Sequence, residues 1–237
     1  MSSIEQVIEV LKNNHDNPPN YGADYIKEFI HDGFDPNQEF DDTYFSNSSS
    51  ILHKCVEYDN FECMKVLLDS GADPNKGTQS YVSFKTEDSG HTPLHVSCKY
   101  HQVECVEVLL EYPITNLNVV NDRGWTPMMV LAENPNTDIL DMLLKRGANV
   151  NVRSNTGDFN ALYIIVEYVC YHGLCEQSNT FIKKLLGAGA DKTFRSRSIA
   201  KFVIDIMKNK NYNDENKQLM NNLVNLLDDN NDNNNNE

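Results

Sequence analysis

The chain has 237 residues, 40% of them hydrophobic, and carries a formal net charge of −15 at pH 7. Such a charge repels nucleic-acid phosphates and anionic membrane surfaces, so neither is expected as a partner. The sequence contains no run of 18 apolar residues and no basic start followed by an apolar core. It therefore predicts neither a membrane-spanning helix nor a signal peptide.

The first predicted elements are two short helices near the N-terminus. Residues 4–14 place apolar side chains on one helical face, and a second helix is expected at about 24–31. An irregular stretch separates the two. We interpret this segment as a degenerate unit that caps the structure that follows.

A short sequence motif at the end of a helix, here called the phrase, then recurs along the chain. In each copy two apolar residues precede charged or small residues, a glycine and a turn rich in Asp and Asn. Glycine at this place is typical of a helix that ends in a left-handed residue, because Gly adopts that conformation without steric cost. The copies lie at 29–37, 66–75, 142–151 and 184–193, with Gly33, Gly71, Gly147 and Gly189.

Longer segments also align with one another. Residues 89–112 and 122–146 match without a gap at an offset of 34 positions, and residues 48–75 match the first of these at an offset of 42. Each segment predicts two short amphipathic helices, and Thr92 and Thr126 are expected N-caps, each followed by proline. Since no helix pair is long enough to bury its own apolar face, the pairs are expected to stack into one continuous core.

These patterns divide the chain into four predicted parts. Two capping helices with more polar faces follow the repeats, and the last residues contain no apolar side chain, so we expect them to be disordered. The parts are the degenerate cap (1–40), the repeats (41–193, at about 48–75, 89–118, 122–151 and 156–193), the capping helices (194–228) and the Asn/Asp-rich tail (229–237).

The residues T-P-L-H at 92–95, a second helix of the form E-x-[VIC]-x-x-L-L, G-A-D-P-N at 71–75 and a period near 33 resemble ankyrin repeats. The resemblance covers roughly residues 24–193. It implies an all-α solenoid of stacked antiparallel helix pairs, from which β-hairpin or loop segments, here called fingers, project at right angles. It also implies that the chain binds other proteins and that His53 and His95 hydrogen-bond the backbone between neighbouring repeats. The Asn runs are similar in composition to those of amoebal proteins and of large viruses that infect amoebae.

Several positions depart from the family pattern. "EYPITNLN" replaces the Gly phrase in one unit, so its helix is expected to stop at Pro113. His101 stands where the turn between helices usually has Gly, which predicts a strained backbone there. Two insertions, in the finger 76–89 and at 170–180, are expected to be loops. Whether these loops are functional or merely tolerated stays open at this point.

The sequence offers little that resembles a catalytic or metal site. Its six cysteines, in a chain without a signal, predict free thiols in a reducing compartment. Cys170, His172 and Cys175 could offer three soft ligands, but a structural zinc site needs four. No Gly-rich phosphate loop, G-x-S-x-G or H-E-x-x-H motif is present. We therefore expect no catalytic residue, no cofactor and no metal.

The candidate binding residues recur at fixed repeat offsets. Tyr58, Tyr100, Asn134 and Tyr168 are spaced by 42, 34 and 34 positions, late in each inner helix, where the resemblance implies a concave groove. Aromatic residues and arginine are frequent energetic anchors of interfaces. The predicted partner-binding residues are Tyr58, Tyr100, Tyr168, the fingertip residues His91, Arg123, Trp125 and Phe159, and Tyr81 and Phe84 of the long finger. The alternative is that the inner-helix tyrosines merely cover the core, and that Tyr81 and Phe84 fold back on the stack.

The sequence thus favours a non-catalytic protein–protein interaction module that binds through its concave inner helices and fingers. One alternative is a substrate adaptor for a ubiquitin ligase, and another is a metal-binding or enzymatic solenoid. We expect a monomeric, intracellular, cytoplasmic protein whose partner is another protein.

Overall fold

The computed structural model describes residues 3–12, 21–42, 47–80, 89–155, 157–195, 197–209 and 214–228. Within these ranges the chain forms twelve α-helices, which follow one another as six pairs. They are α1 (Ser3–Lys12), α2 (Tyr21–His31), α3 (Ile51–Glu57), α4 (Phe61–Asp69), α5 (Pro93–Tyr100), α6 (Val103–Glu111), α7 (Pro127–Glu133), α8 (Thr137–Lys145), α9 (Ala161–His172), α10 (Glu176–Gly187), α11 (Ile199–Asn209) and α12 (Asp214–Leu227).

The described residues include only short strands, which lie in the segments that connect helix pairs. Strands β1 (Glu39–Asp42), β2 (Asn47–Ser50) and β3 (Gln79–Ser80) form an antiparallel sheet in that order. Strands β4 (Thr193–Phe194) and β5 (Arg197–Ser198) form a second antiparallel pair. These strands therefore join neighbouring connections rather than building a core of their own.

The helices form two parallel rows. The odd-numbered helices pack side by side from α1 to α11, and the even-numbered helices pack side by side from α2 to α10, while α12 packs on α11. We call these the inner and the outer row. One hydrophobic cluster runs through the stack from Val7 in α1 to Leu227 in α12. The all-α solenoid predicted from the sequence is confirmed, whereas its division into caps and repeats remains a prediction.

The starts of the inner helices are built from the expected residues. Thr126 has an extended backbone and its hydroxyl accepts the Met129 N–H, so it caps α7. In α5 the Thr92 N–H donates to Nδ1 of His95 (3.1 Å), and Nε2 of His95 lies 2.8 Å from the Trp125 carbonyl oxygen of the next unit. Because Nδ1 accepts, Nε2 carries the proton and donates. The histidine therefore bridges two units, as the resemblance implied.

The second bridging histidine has the same geometry one unit earlier. The Ser50 N–H donates to Nδ1 of His53, and Nε2 of His53 lies 2.8 Å from the His91 carbonyl oxygen. Both imidazoles are almost fully buried. A buried polar group is stable only when its hydrogen bonds are made, so each bridge also fixes the spacing of adjacent inner helices.

The four phrase glycines end their helices in one shared geometry. After α4, the Gly71 N–H donates to the Leu68 carbonyl and the Ala72 N–H to the Leu67 carbonyl. The same two bonds recur at the other three positions. The φ angles are 97° at Gly33, 90° at Gly71, 81° at Gly147 and 81° at Gly189. These left-handed helix ends were predicted from the sequence and are confirmed.

Two of the turns between the helices of a pair use a left-handed residue other than glycine. Asp59 has φ 49° and His101 has φ 59°. The strain predicted at His101 is present. Nε2 of His101 also donates to the Asn134 carbonyl oxygen at 2.7 Å, and this bond to the next unit helps offset the strain.

A row of asparagines ties each finger base to the next. In the second unit the Asn75 amide oxygen accepts the Asn116 N–H (2.7 Å), and its NH₂ group donates to the Ile114 carbonyl (2.8 Å). Asn118 accepts the Asn149 N–H in the following unit. Asn37 and Asn151 make both kinds of bond to their own neighbours. The turn residues of the repeated phrase thus also join adjacent repeats.

Two sequence expectations on element lengths have different outcomes. The unit with "EYPITNLN" ends its helix at Glu111, close to the predicted stop at Pro113. The insertion at 170–180 is not the predicted loop, because α9 extends to His172 and α10 begins at Glu176. Both helices are 12 residues long, against 7 to 9 in the three preceding units. Most of the extra residues are therefore absorbed into the two helices, and only residues 173–175 connect them.

Candidate partner-binding surface

The inner row carries the three predicted tyrosines. Tyr58 is the C-cap of α3, Tyr100 is the last residue of α5, and Tyr168 lies within α9, with α7 between the last two. We call these three the tyrosine row. Tyr100 is 46% exposed, whereas Tyr58 and Tyr168 are partly buried against the core. The row therefore contains one open ring and two that also support the stack.

Each of the first two rings has a lysine nearby. The Lys99 ammonium lies 5.7 Å from the Tyr100 ring centroid, and Lys54 and Lys12 lie 5.8 and 5.9 Å from that of Tyr58. At these distances the cations interact with the aromatic rings. The rings are thus held in place by contacts within the chain.

A groove of about 350 Å³ opens at the far end of the tyrosine row, between α7 and α9. Its walls combine apolar, aromatic and acidic side chains. The lining residues are Trp125, Glu133, Ile164, Glu167, Tyr168, Tyr171 and His172. Tyr171 is 62% exposed at its rim. Of the predicted binding residues, the structure brings Tyr168 and Trp125 together here.

Arg123 and Trp125 form one end of the groove. The guanidinium carbon of Arg123 lies 3.7 Å from the Trp125 ring centroid, and a guanidinium nitrogen lies 3.7 Å from Oε1 of Glu133. Trp125 is only 6% exposed. It directly follows the turn at 122–124, but the Arg123 guanidinium covers its ring, so little of Trp125 is open to a partner at the predicted fingertip.

His91 lies at the base of the long finger, inside the stack. It is 4% exposed and its ring stacks on His95 with centroids 5.2 Å apart. Burial, together with the nearby Lys99, His53 and Arg123 side chains, lowers the pKa of His91 to about 3. The structure therefore gives His91 a core position, which departs from the fingertip expected from the alignment.

Phe159 belongs to an aromatic cluster near the C-terminal end. Its ring lies 5.0 Å from that of Tyr163 and 5.4 Å from that of Phe194, and Tyr163 is 4.0 Å from Phe194. The cluster joins α9 to the β4–β5 pair, so Phe159 packs within the chain. Burial and the nearby Glu167 carboxylate raise the pKa of Tyr163.

Tyr81 and Phe84 lie outside the described residues, as does the tail 229–237. The base of their finger is described and is closed by backbone bonds. The Thr78 N–H donates to the His91 carbonyl, and the Gly90 N–H donates to the Thr78 carbonyl, both at 2.9 Å. A side chain at Gly77 would meet the Gly90 oxygen at 2.9 Å, so this close approach requires glycine.

All six cysteines are free thiols, and Cys175 alone is exposed. Burial raises the pKa of the Cys63 thiol to about 12, which makes it chemically inert. Among the described residues, no three His, Cys, Asp or Glu side chains are placed to hold a metal ion. Cys170, His172 and Cys175 therefore do not form such a group.

Sequence reasoning missed the acidic groove. Glu133, Glu167 and Tyr171 were not singled out, since each is an ordinary polar or aromatic residue on an amphipathic helix. A signal was available in α9, where Tyr171 and His172 follow Tyr168 at spacings of three and four, and Tyr171 follows Glu167 at a spacing of four. Such spacing places side chains on one face of a helix.

Comparison with known proteins agrees with this architecture. The family models for ankyrin repeats match residues 47–79 and 76–154. The E3 ubiquitin-protein ligase KEG of Arabidopsis thaliana is 28% identical over 171 residues, which is 68% of this chain and 10% of that protein. Ankyrin repeat protein OPG189 of Variola virus is 30% identical over 142 residues, 56% of this chain and 23% of that protein.

A third relative is human ankyrin repeat and SOCS box protein 11, which is 31% identical over 112 residues, 46% of this chain and 30% of that protein. The chain thus spans less than a third of the length of each of these relatives. The stacked helix pairs, the bridging histidines and the matched residues define a repeat solenoid, and residues 47–154 of it are ankyrin repeats. No helix among the described residues has the length and apolar character needed to cross a membrane.

Proposed function

We propose that this chain is a non-catalytic interaction module that binds a partner protein through the concave face of its inner helices and the adjacent fingers. The observation that carries the proposal is the tyrosine row on the inner helices α3, α5 and α9, whose last member, Tyr168, lines the groove between α7 and α9. Tyrosine buries a large area on binding and has few rotatable bonds, so it loses little entropy.

The rigidity of the stack supports this proposal. The bridging histidines join units through buried hydrogen bonds, and the asparagine row joins successive finger bases through exposed ones. A surface that is already ordered in the free protein does not have to be ordered on binding. Affinity can then come from a few well-placed side chains.

Removal of two tyrosines tests this function. We expect Tyr58→Ala combined with Tyr100→Ala to weaken binding to a partner, identified by affinity purification and mass spectrometry, by about 2 kcal/mol or more. The matched control is Glu104→Ala combined with Lys145→Ala, two exposed residues of the outer row, which should leave affinity unchanged. Calorimetric titration measures both. If the double tyrosine variant binds as tightly as the parent, or melts much earlier, the tyrosine row is not the site.

A second candidate is a substrate adaptor for a ubiquitin ligase, which the similarity to an E3 ubiquitin-protein ligase over 68% of this chain favours. Against it, α11 and α12 pack on each other and α11 packs on α9, so this pair continues the stack rather than forming a separate module. Recovery of ligase subunits with the tagged protein from its native cell would favour the adaptor. Their absence from the partners recovered would favour the plain module.

We also infer that the protein acts as a monomer in a reducing, cytoplasmic compartment, which the six free thiols support. The net charge of −15 argues against nucleic acid and anionic membranes as partners. We infer that the protein has no catalytic activity, because ankyrin repeats are generally non-catalytic. Elemental analysis of the purified protein tests the remaining alternative, since stoichiometric zinc would indicate a metal-binding solenoid.

A further inference from the structure

The groove between α7 and α9 has aromatic walls from two units. Trp125 contributes one end, and Tyr168 and Tyr171 line the α9 side. Its volume of about 350 Å³ falls within the range of sites that enclose a ligand group. The negative faces of aromatic rings attract cations, so the Tyr168 and Tyr171 rings favour a charged head on an apolar stem.

The polar groups of the groove are mainly hydrogen-bond acceptors. Glu133 and Glu167 contribute carboxylates. Nδ1 of His172 donates to the Tyr168 carbonyl oxygen at 3.0 Å, and the His172 ring stacks on that of Tyr168 with centroids 4.4 Å apart. Oε1 of Glu167 accepts from the Tyr163 hydroxyl at 3.3 Å, and no described Lys, Arg or His forms an ion pair with it. The groove therefore lacks a cation on its α9 side.

The other end of the groove already holds a cation from the chain itself. The guanidinium of Arg123 lies over the Trp125 ring and close to Glu133. This contact shows that one wall accommodates a guanidinium between an aromatic face and a carboxylate. The α9 side presents the same combination, Tyr168 or Tyr171 with Glu167, on the next inner helix.

We propose that this groove anchors a basic segment of a partner protein, with one lysine or arginine side chain lying along Tyr168 and Tyr171 and its charged head at Glu167. The inference rests on the proposed interaction function and specifies the chemistry of the partner. Charge complementarity supports the choice of occupant, because a chain with a net charge of −15 attracts basic segments and steers them during encounter.

The test uses dodecapeptides selected from a random display library on the immobilised full chain. We expect the selected peptides to be enriched in Lys and Arg, and to change the fluorescence of Trp125, which is the single tryptophan of the chain. Glu167→Gln should weaken their binding at least about fivefold, because a rim charge pair is lost. The glutamine oxygen can still accept the Tyr163 hydroxyl, so the fold should be preserved.

The matched control is Glu107→Gln, which removes one exposed negative charge from the outer helix α6. It should change affinity less than about twofold. Equal losses in the two variants would mean general charge attraction and would overturn the proposal, as would selected peptides without basic residues or a library without binders. A fluorescence change with protein concentration alone would assign the groove to a second copy of the chain, and would also overturn it. Selected peptides that lack basic residues, but whose binding still requires Tyr58 and Tyr100, would contradict this inference and not the proposed function.

Discussion

At the scale of single residues, the inner-helix histidine position shows how one side chain links two repeats. His53 and His95 each use both ring nitrogens, one for the start of their own helix and one for a carbonyl of the next unit. The same position is Met129 in the next unit and Tyr163 in the one after it. Only two of these four units therefore have the histidine bridge, and hydrogen bonds such as that from Asn160 to the Asp191 carbonyl help to join the others.

Loss of one bridge should be measurable. His95→Met introduces the apolar side chain that Met129 provides at the same position one unit later. It leaves the Thr92 N–H and the Trp125 carbonyl without their histidine partner. We expect a loss of about 1–3 kcal/mol in the free energy of unfolding, measured by urea denaturation. His31→Ala, at an exposed site, is the control and should stay within about 0.5 kcal/mol. An unchanged urea midpoint for His95→Met would show that the bridge does not stabilise the fold.

At the scale of elements, each helix depends on its neighbours in the row. Helix α6 is only nine residues long and packs between α4 and α8. Isolated helices of this length are marginal in water. Its stability therefore comes from residues such as Leu109, whose side chain is fully buried.

Shortening that side chain should destabilise the stack. Leu109→Ala removes contacts shared by adjacent units and leaves a cavity, so we expect a cost of about 2–5 kcal/mol in unfolding free energy. Ile114, which is 64% exposed just after the same helix, provides the control. Ile114→Ala should change stability by less than about 0.5 kcal/mol. Similar effects of the two changes, read from chemical denaturation, would contradict the packing described for α6.

At the scale of the whole molecule, two buried histidines couple stability to pH. Burial lowers the pKa of His91 and of His95 to about 3, against an ordinary value of about 6.5 in the unfolded chain. Below pH 6.5 the unfolded state therefore binds more protons than the folded state. The free energy of unfolding should fall as the pH falls from 6.5 towards 3, and these groups should contribute no pH dependence above that window.

Denaturation at several pH values measures this coupling. Each histidine contributes at most about 1.4 kcal/mol per pH unit between pH 6.5 and 5. His95→Met should reduce the slope by up to half, because one of the two groups is gone. A hydrogen bond from Lys76 lowers the pKa of the Glu39 carboxyl from its ordinary value of 4.5. Protonation of Glu39 therefore reduces stability only below about pH 5, outside the range from 6.5 to 5. Stability that is flat from pH 7.5 to 5 would contradict the buried neutral imidazoles.

Sequence reasoning performed differently on the fold and on the surface. The ends of the helices at Gly71 and Gly147 and the start at Thr126 were predictable, because caps depend on residues within one turn. The extension of α9 to His172 was not, since a longer helix and an inserted loop share the same residue count. Tyr100 is exposed as expected, whereas Trp125 and His91 at equally regular positions are buried. The candidate site residues themselves remain predictions.

By itself, the sequence determined the order, kind and approximate ends of the helices, and the family to which they belong. These follow from local periodicity, from caps and from the recurrence of one pattern. Only the tertiary structure decided which recurring aromatic side chains face solvent and which carboxylates meet them in the groove between α7 and α9. The physical reason is that both packing and binding repeat with the same period, and only the neighbouring unit determines whether a given ring is covered.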